Sequence, residues 1–165
     1  MKIVVVRHAE KSEAAPNPLT EAGWACALEA GAWLRTLGVR PVLVGYTERL
    51  RTRQTVEGIL SAYGLDFAAV AQLPAGPMPV SIDGWAKAVG RIGAELHRRG
   101  LDGDVVLGVH HSTQDFIVRA FGARRPLKDA RGATFLMEAD VAHTKVVAAW
   151  PGYLKRTKTL ADWHT

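Results

Sequence analysis

The chain has 165 residues, which is enough for one ordinary domain with a single core, and we expect residues 1–165 to form that domain. Apolar residues make up 48% and charged residues 22%, close to the averages of folded globular proteins, so intrinsic disorder, collagen-like repeats and coiled coil fit badly. A net charge of +5 suggests an anionic partner but does not choose among phosphates, nucleic acid and membrane surfaces.

Several further classes of protein are disfavoured by simple patterns. No apolar run approaches about 18 residues, so we expect no membrane span, and the start on a strand without a leader pattern favours a cytoplasmic location. Cys26 is the only cysteine, which excludes an internal disulfide and a Cys-rich zinc site. The densest basic cluster is predicted to be a solvated loop, and no basic run with interleaved aromatics indicates nucleic-acid binding. The cluster consists of Arg124, Arg125, Lys128 and Arg131.

The apolar pattern predicts strands and helices in alternation. Residues 2–7 form an almost continuous β-branched run, which is typical of a strand buried on both faces of a parallel sheet. Further strands are predicted at 41–46, 104–109, 133–138 and 145–150, and helices at 21–37, 50–63, 84–99 and up to about 121. A proline-containing loop is predicted at 72–83. This order predicts an α/β fold, a three-layer α/β/α sandwich with a mainly parallel central sheet.

Polar side chains follow three of the predicted strands, at the edge of a parallel sheet where ligands usually bind. These side chains are Arg7 and His8 after the first strand, Arg51 shortly after the second, and His110 and His111 after the third. If these strands are neighbours, imidazoles and guanidiniums meet in one anion-binding pocket. Such a group suits phosphoryl transfer, because a neutral imidazole can attack phosphorus while planar guanidiniums hold the oxygens.

Four sequence blocks stand in order along the chain: RHAEK at 7–11, PLTEAG at 18–23, LRTRQT at 50–55 and HHST at 110–113. Together they resemble the signature of the histidine phosphatase superfamily, also called phosphoglycerate mutase-like. The short length and the RHAEK start are most similar to its small SixA-type phosphohistidine phosphatases. The resemblance implies a phosphoglycerate mutase-like fold and a phosphorylated small molecule or a phosphohistidine protein as the partner.

The same resemblance implies roles for individual residues. His8 would be the nucleophile that becomes phosphohistidine, and Arg7 and Arg51 would bind the phosphoryl oxygens. A second family histidine contacts the phosphoryl group, and either of two adjacent residues can match it. His110 fits the apolar pattern of the following helix, whereas His111 fits its spacing from the preceding strand in some relatives. We assign His110 to this role and place His111 in the pocket lining.

The chain departs from the family pattern at three points, one of which is His111, where glycine or asparagine is common. Ala9 stands where many members have glycine. No glutamate matches the proton donor that mutases and many ester phosphatases have after the middle strand, and Asp83 is the only acid between residues 73 and 85. We expect Asp83 to be a helix N-cap, with an acid role as its alternative. A missing acid favours phosphohistidine, because imidazole leaves more easily than an alkoxide.

Two further residues are candidates for the substrate pocket. Glu10 could orient a pocket group or Lys11, with an exposed charge pair as the alternative. Trp85, beside the proline-containing loop, could form a wall of the pocket. We expect no metal and no cofactor, because adjacent side chains such as His110 and His111 diverge and no carboxylate cluster completes a ligand set.

The leading hypothesis is a metal-independent phosphatase that acts on phosphohistidine or small phosphomonoesters through a phosphohistidine on His8. Two alternatives keep the same fold, namely a phosphoglycerate mutase-type phosphotransferase and a non-catalytic phosphate-binding module. Nucleic-acid binding through the positive net charge is a weaker hypothesis, and it predicts a steep loss of affinity with salt.

Overall fold

The computed structural model describes residues 1–122, 131–140 and 142–150. The elements in chain order are β1 (Lys2–Arg7), α1 (Glu21–Thr36), β2 (Pro41–Tyr46), α2 (Leu50–Ser61), a 3-10 helix (Phe67–Ala69), β3 (Ala71–Gln72), α3 (Ile82–Arg98), β4 (Asp104–Val109), α4 (His111–Phe121), β5 (Thr134–Ala139) and β6 (Thr144–Trp150). Of the predicted basic loop, only Arg131 is described, and the tail after residue 150 also lies outside the described residues.

One six-stranded sheet carries the fold, with the strand order β3-β2-β4-β1-β5-β6. The pairs β3–β2, β2–β4 and β4–β1 are parallel, whereas β1–β5 and β5–β6 are antiparallel. The predicted mainly parallel sheet is therefore confirmed, and the two closing strands return along one edge. β3 was not predicted, because a strand of two residues shows no alternation that a sequence pattern could reveal.

Helices cover both faces of the sheet, because successive strand residues point to opposite sides. Val4 and Val6 of β1 pack in a cluster with buried residues of α1 and α2. Ile3 and Val5 pack in a second cluster with buried residues of α3 and α4. Strands buried on both faces explain the continuous β-branched runs, and the three-layer α/β/α architecture is confirmed.

The start of α3 differs from its prediction. Ser81, with extended backbone angles, accepts a hydrogen bond from the backbone N–H of Gly84 at 3.2 Å, so Ser81 is the N-cap. The N-cap role predicted for Asp83 is therefore wrong. Asp83 is an exposed residue of the first turn, where its charge complements the helix dipole.

Trp85 belongs to the core and not to a pocket wall. Its side chain is buried, with ring centroids 6.4 Å from Phe116 and 5.9 Å from Phe121. Its indole N–H donates to the hydroxyl of Thr144 at 2.9 Å, which satisfies the one polar group of the ring. The predicted pocket role of Trp85 is wrong, because Trp85 lies on the apolar face of α3 that packs against the sheet.

The described helices are of modest length. None within residues 1–122, 131–140 and 142–150 is long and apolar enough to span a bilayer.

Candidate active site

The carboxyl ends of the central strands bring two histidines together. β1 and β4 are paired up to Arg7 and Val109, and the backbone N–H of His8 donates to the carbonyl of Val109 at 3.0 Å. His110 follows Val109 directly. The imidazoles of His8 and His110 therefore lie next to each other, with ring centroids 5.6 Å apart and an interplanar angle of 69°.

His8 is a buried, neutral imidazole with a defined tautomer. Its side chain is only 7% exposed, and Nδ1 lies 2.9 Å from the carbonyl oxygen of Ala9. Because a carbonyl can only accept, Nδ1 carries the proton and Nε2 keeps its lone pair. The pKa of His8 is lowered to about 3, chiefly by burial and also by the charges of Arg51 and Arg7, against the raising effect of the Ala9 carbonyl.

Two arginines act on these rings. Arg7 ends β1, and Arg51 lies in the first turn of α2; the charges of both lower the pKa values of His8 and His110. The Nε atom of Arg51 is buried and has no hydrogen-bond partner among the described residues. Burial lowers the pKa of the Arg51 guanidinium, and the charges of Arg49 and Arg131 lower it further. An anion is the natural partner for such a group of cations.

A threonine links the His8 loop to α2. The hydroxyl of Thr55 accepts from the backbone N–H of Ala9 at 3.0 Å and donates to the carbonyl of Arg51 at 2.7 Å. One side chain therefore holds the backbone beside His8 and the backbone that carries Arg51. Thr55 stands in the LRTRQT block, but its role could not be predicted, because hydrogen bonds between distant segments have no signature in a single sequence.

Of the two adjacent histidines, His110 joins the group. It occupies the N-cap position of α4 without a side-chain capping bond, and its Nε2 lies 3.0 Å from the hydroxyl oxygen of Thr47. Burial lowers the pKa of His110, and the charges of Arg51, Arg49 and Arg7 add to the effect.

His111 turns away from this group. Its side chain is exposed, and its Nε2 lies 3.4 Å from a carboxylate oxygen of Asp115, one turn further along α4. The predicted place of His111 in the pocket lining is wrong. His111 begins the helix after the N-cap, and the helical rotation sends adjacent side chains in different directions.

A cavity of about 320 Å³ opens beside His110. It is lined by Thr47, Glu48, Arg49, Gly76, Pro77, Met78, His110, Ser112 and Thr113. The predicted proline-containing loop thus contributes three of the residues that line the cavity. Residues 47–49 were missed, although they follow β2 directly, as His8 follows β1 and His110 follows β4. A larger cavity of about 1030 Å³ lies at the amino ends of β1 and β4, and none of the candidate residues lines it.

The two acids predicted near the pocket have other surroundings. A carboxylate oxygen of Glu10 accepts from the hydroxyl of Thr20 at 3.0 Å, which ties the loop after β1 to the start of α1. Lys11 pairs with Glu13 at 3.1 Å, so the predicted contact between Glu10 and Lys11 is wrong. Asp83 does not line the cavity beside His110. Within the described residues, no three His, Cys, Asp or Glu side chains are grouped as a metal site.

Comparisons with known proteins identify the fold. A scan of family models gave no match, and a search of curated proteins gave none. Solved structures do match. The protein histidine phosphatase SixA complexed with tungstate has a TM-score of 0.66 and 18% identity, with 92% of this chain and 97% of that chain covered. The ecdysone phosphate phosphatase from Bombix mori, also complexed with tungstate, has a TM-score of 0.62 and 15% identity over 96% and 95% of the two chains.

A phosphoglycerate mutase from Bacillus anthracis str. Sterne matches with a TM-score of 0.60 and 13% identity, over 88% of this chain and 90% of that chain. At these identities the comparisons establish the fold. The phosphoglycerate mutase-like fold, which the four sequence blocks implied, is therefore confirmed.

Proposed function

We propose that the protein is a histidine phosphatase that hydrolyses phosphohistidine or small phosphomonoesters without a metal. The observation that carries this proposal is the state of His8, a buried neutral imidazole whose Nδ1 is held by the Ala9 carbonyl and whose Nε2 keeps its lone pair beside Arg51 and His110. This is the protonation state that an imidazole nucleophile needs.

The first step transfers the phosphoryl group to the enzyme. The lone pair on Nε2 of His8 attacks phosphorus, and the bond from phosphorus to the leaving group breaks. The leaving group departs with that electron pair and takes a proton from solvent. Arg7 and Arg51 hold the phosphoryl oxygens, and the unpartnered Nε–H of Arg51 gains its hydrogen bond in this complex.

The second step returns the enzyme to its resting state. Water attacks phosphorus, the bond between phosphorus and Nε2 breaks, and its electron pair returns to the His8 ring. The proton lost by water passes to solvent, and inorganic phosphate is released. The hydrogen bond from Nδ1 to Ala9 persists throughout, so His8 keeps one orientation in both steps.

Phosphohistidine is the favoured substrate within this scheme. The charges that act on His8 come from Arg51, Arg7 and His110, and no carboxylate is among them. Among the described residues, the carboxylate that lines the cavity is that of Glu48, and its charge is not among those that act on His8. Without an acid at the His8 ring, the site discriminates against substrates that expel an alkoxide, because those need a proton during bond cleavage. Imidazole and phenolate leave more easily, so we expect phosphohistidine and aryl phosphates to react faster than sugar phosphates.

The proposal is tested with a substrate panel that contains a phosphohistidine protein, an aryl phosphate, sugar phosphates and phosphoglycerates. We expect His8→Ala to abolish turnover and Arg51→Ala to lower kcat by about 100-fold or more while the protein stays folded. His111→Ala is the matched control, because this histidine is adjacent in sequence but points away from the site. Full activity of His8→Ala, or complete loss of wild-type activity in chelator, contradicts the proposal.

The main alternative is a phosphoglycerate mutase-type phosphotransferase, which the match to a solved phosphoglycerate mutase supports. Incubation with 3-phosphoglycerate and a trace of bisphosphate separates the two functions, since isomerisation without net release of phosphate identifies a mutase. Phosphate binding without turnover, and without labelling of His8 by an activated phosphate donor, identifies a non-catalytic phosphate-binding module.

A further inference from the structure

A chain of hydroxyl groups leads from His110 into α2. Nε2 of His110 lies 3.0 Å from the hydroxyl oxygen of Thr47, which lies 2.9 Å from the hydroxyl oxygen of Thr52. The Thr52 hydroxyl in turn lies 2.7 Å from the backbone carbonyl of Arg49. Thr47 and Thr52 are both buried, so the hydrogen bond between their hydroxyl groups is shielded from bulk water.

The direction of each hydrogen bond follows from counting protons. Two backbone carbonyls, those of Arg49 and Thr47, can accept the single proton of the Thr52 hydroxyl, and neither can donate. The Thr52 oxygen therefore accepts the proton of the Thr47 hydroxyl. Having donated there, Thr47 can only accept from its other neighbours, which include the backbone N–H of Arg49 at 3.3 Å. The remaining neighbour is His110, so its Nε2 carries a proton.

We infer that Thr52, acting through Thr47, fixes His110 as the Nε2–H tautomer and thereby makes Nδ1 the atom that takes up a proton when an oxyanion enters the site. Nδ1 has no hydrogen-bond partner within the part of the chain described, and His110 lines the cavity beside the site. A neutral Nδ1 presents a lone pair, which repels an oxyanion. Protonation from solvent converts the ring to an imidazolium, whose Nδ1–H donates to an oxyanion oxygen.

The charges around His110 keep it neutral until an anion arrives. The groups around it are Arg7 and His8 at the end of β1, Arg49 and Arg51 at the start of α2, and Glu48 on the cavity wall. On its own helix, His111 and Asp115 lie close to each other, and His111 points away from the site. Burial and the charges of the three arginines lower the pKa of His110. A bound oxyanion offsets those positive charges, so anion binding and proton uptake favour each other.

The tautomer is measured by long-range proton–nitrogen correlation spectra of uniformly nitrogen-15-labelled protein near pH 7.5, about one unit above the ordinary histidine pKa. We expect wild-type His110 to show a protonated Nε2 and an unprotonated Nδ1. In Thr52→Val, the Thr47 hydroxyl loses its acceptor and turns its proton toward His110 Nε2, so the ring should switch to the Nδ1–H tautomer. Thr52→Ser keeps the hydroxyl and should keep the wild-type spectrum.

Proton uptake is measured by titrating tungstate into the protein in buffers of different ionisation enthalpy. We expect uptake of a proton by wild type and by Thr52→Ser, and loss of that uptake in Thr52→Val, whose neutral His110 already offers Nδ1–H. Thr134→Val is the matched control, because Thr134 is also buried and its hydroxyl also donates to a backbone carbonyl, that of Gly132 at 2.9 Å. It should leave both the tautomer and the uptake unchanged.

The inference rests on the proposed function for the anion that fills the site, but the two fail separately. A wild-type His110 with Nδ1–H, or a Thr52→Val spectrum that matches wild type, overturns the inference whether or not tungstate binds. Tungstate binding by wild type without proton uptake also overturns it and leaves the phosphatase proposal intact. Failure to bind tungstate counts against the phosphatase proposal alone, because the spectra of the unliganded protein still decide the tautomer.

Discussion

His8 differs from the histidine of a charge-relay site because a backbone carbonyl, and not a carboxylate, holds its Nδ1. A carboxylate partner would raise the pKa of the ring, whereas burial here lowers it to about 3. The cationic neighbours that bind an anion also disfavour a proton on the ring. Neutrality of the nucleophile and affinity for the anion therefore come from the same residues.

A specific dependence of activity on pH follows. Because the pKa of His8 is about 3, this ring stays unprotonated as the pH falls through the ordinary histidine range, near 6.5. We expect kcat/KM for an aryl phosphate, corrected for ionisation of the substrate, to show no acid-side loss between about pH 7 and pH 5. A loss centred near pH 6.5 would contradict a buried neutral His8.

Arg49 extends the positive charge of the site along the cavity wall. Its side chain is exposed, lines the cavity next to His110, and forms no ion pair with a described residue. An exposed guanidinium can attract a second anionic group on a substrate, but solvent and salt screen that attraction. Its effect should therefore be modest and limited to substrates that carry such a group.

We expect Arg49→Gln to raise KM about 2- to 5-fold for substrates with a second anionic group, to leave kcat near wild type, and to lose its effect in high salt. Steady-state kinetics at two ionic strengths measure this. Arg53→Gln is the matched control, because Arg53 is an exposed arginine in the first turn of α2 and pairs with Glu57 at 3.0 Å. An equal effect of the two substitutions on KM would contradict a role for Arg49 in substrate binding.

At the scale of elements, the sequence predicted best where burial alone decides the pattern. β1, β2 and β4 have the predicted boundaries, because a strand buried on both faces must be apolar throughout. The start of α3 was misplaced by two residues, since Ser81 and Asp83 are both good N-caps and the choice depends on backbone angles. Whether Trp85 lines the pocket or the core could not be predicted, because the face that a helix presents to the sheet depends on its packing partners.

The distance between α2 and the sheet is set by a glycine. Gly108 of β4 lies under α2, and a Cβ there would come within 2.6 Å of the backbone carbonyl oxygen of Thr52 and 2.9 Å of Val56. The backbone oxygen cannot rotate away as a flexible side chain would, so α2 must shift. Because α2 carries Arg51 and Thr52, such a shift also disturbs the candidate site.

We expect Gly108→Ala to lower the free energy of unfolding by about 1–3 kcal/mol and to lower kcat as well. Gly90→Ala is the matched control in the interior of α3, where, apart from the helix's own backbone, no atom of the described residues lies within 4 Å of the added Cβ, and it should raise stability by about 0.5–1 kcal/mol. Urea unfolding and aryl phosphate hydrolysis measure both variants. Wild-type stability in Gly108→Ala would show that the sheet and α2 tolerate a wider separation.

At the scale of the whole molecule, the site depends on which strands are neighbours. The sequence placed Arg7, His8 and His110 at strand ends and Arg51 shortly after β2, and the strand order β2-β4-β1 brings them together. The hydroxyl groups of Thr47, Thr52 and Thr55 could not be assigned in the same way. Thr47 and Thr55 act through distances of about 3 Å to segments far apart in the chain, and Thr52 acts through its contact with Thr47, so only the packed structure defines these roles.

Burial of a neutral histidine also links the site to the stability of the entire fold. The pKa of His8 is about 3 in the folded protein, against 6.5 as the ordinary value for the unfolded chain. Between these values the unfolded state binds more protons, so the free energy of unfolding falls as the pH falls. The contribution of His8 to the free energy of unfolding is fully present above about pH 6.5 and is lost progressively below it, at about 1.4 kcal/mol for each pH unit.

We expect wild type to lose about 2–3 kcal/mol more stability than His8→Asn when the pH is lowered from about 7 to 4.5, measured by urea unfolding. The acidic groups whose pKa values are lowered by folding, such as Glu138 and Asp140, also weaken the fold in acid, but they are present in both proteins and cancel in the difference. Exposed His97 provides the control, and His97→Asn should follow the wild-type curve. If the free energy of unfolding changed with pH equally in wild type and His8→Asn, His8 would titrate in the folded protein much as it does in the unfolded chain. That result would contradict a nucleophile kept neutral by burial.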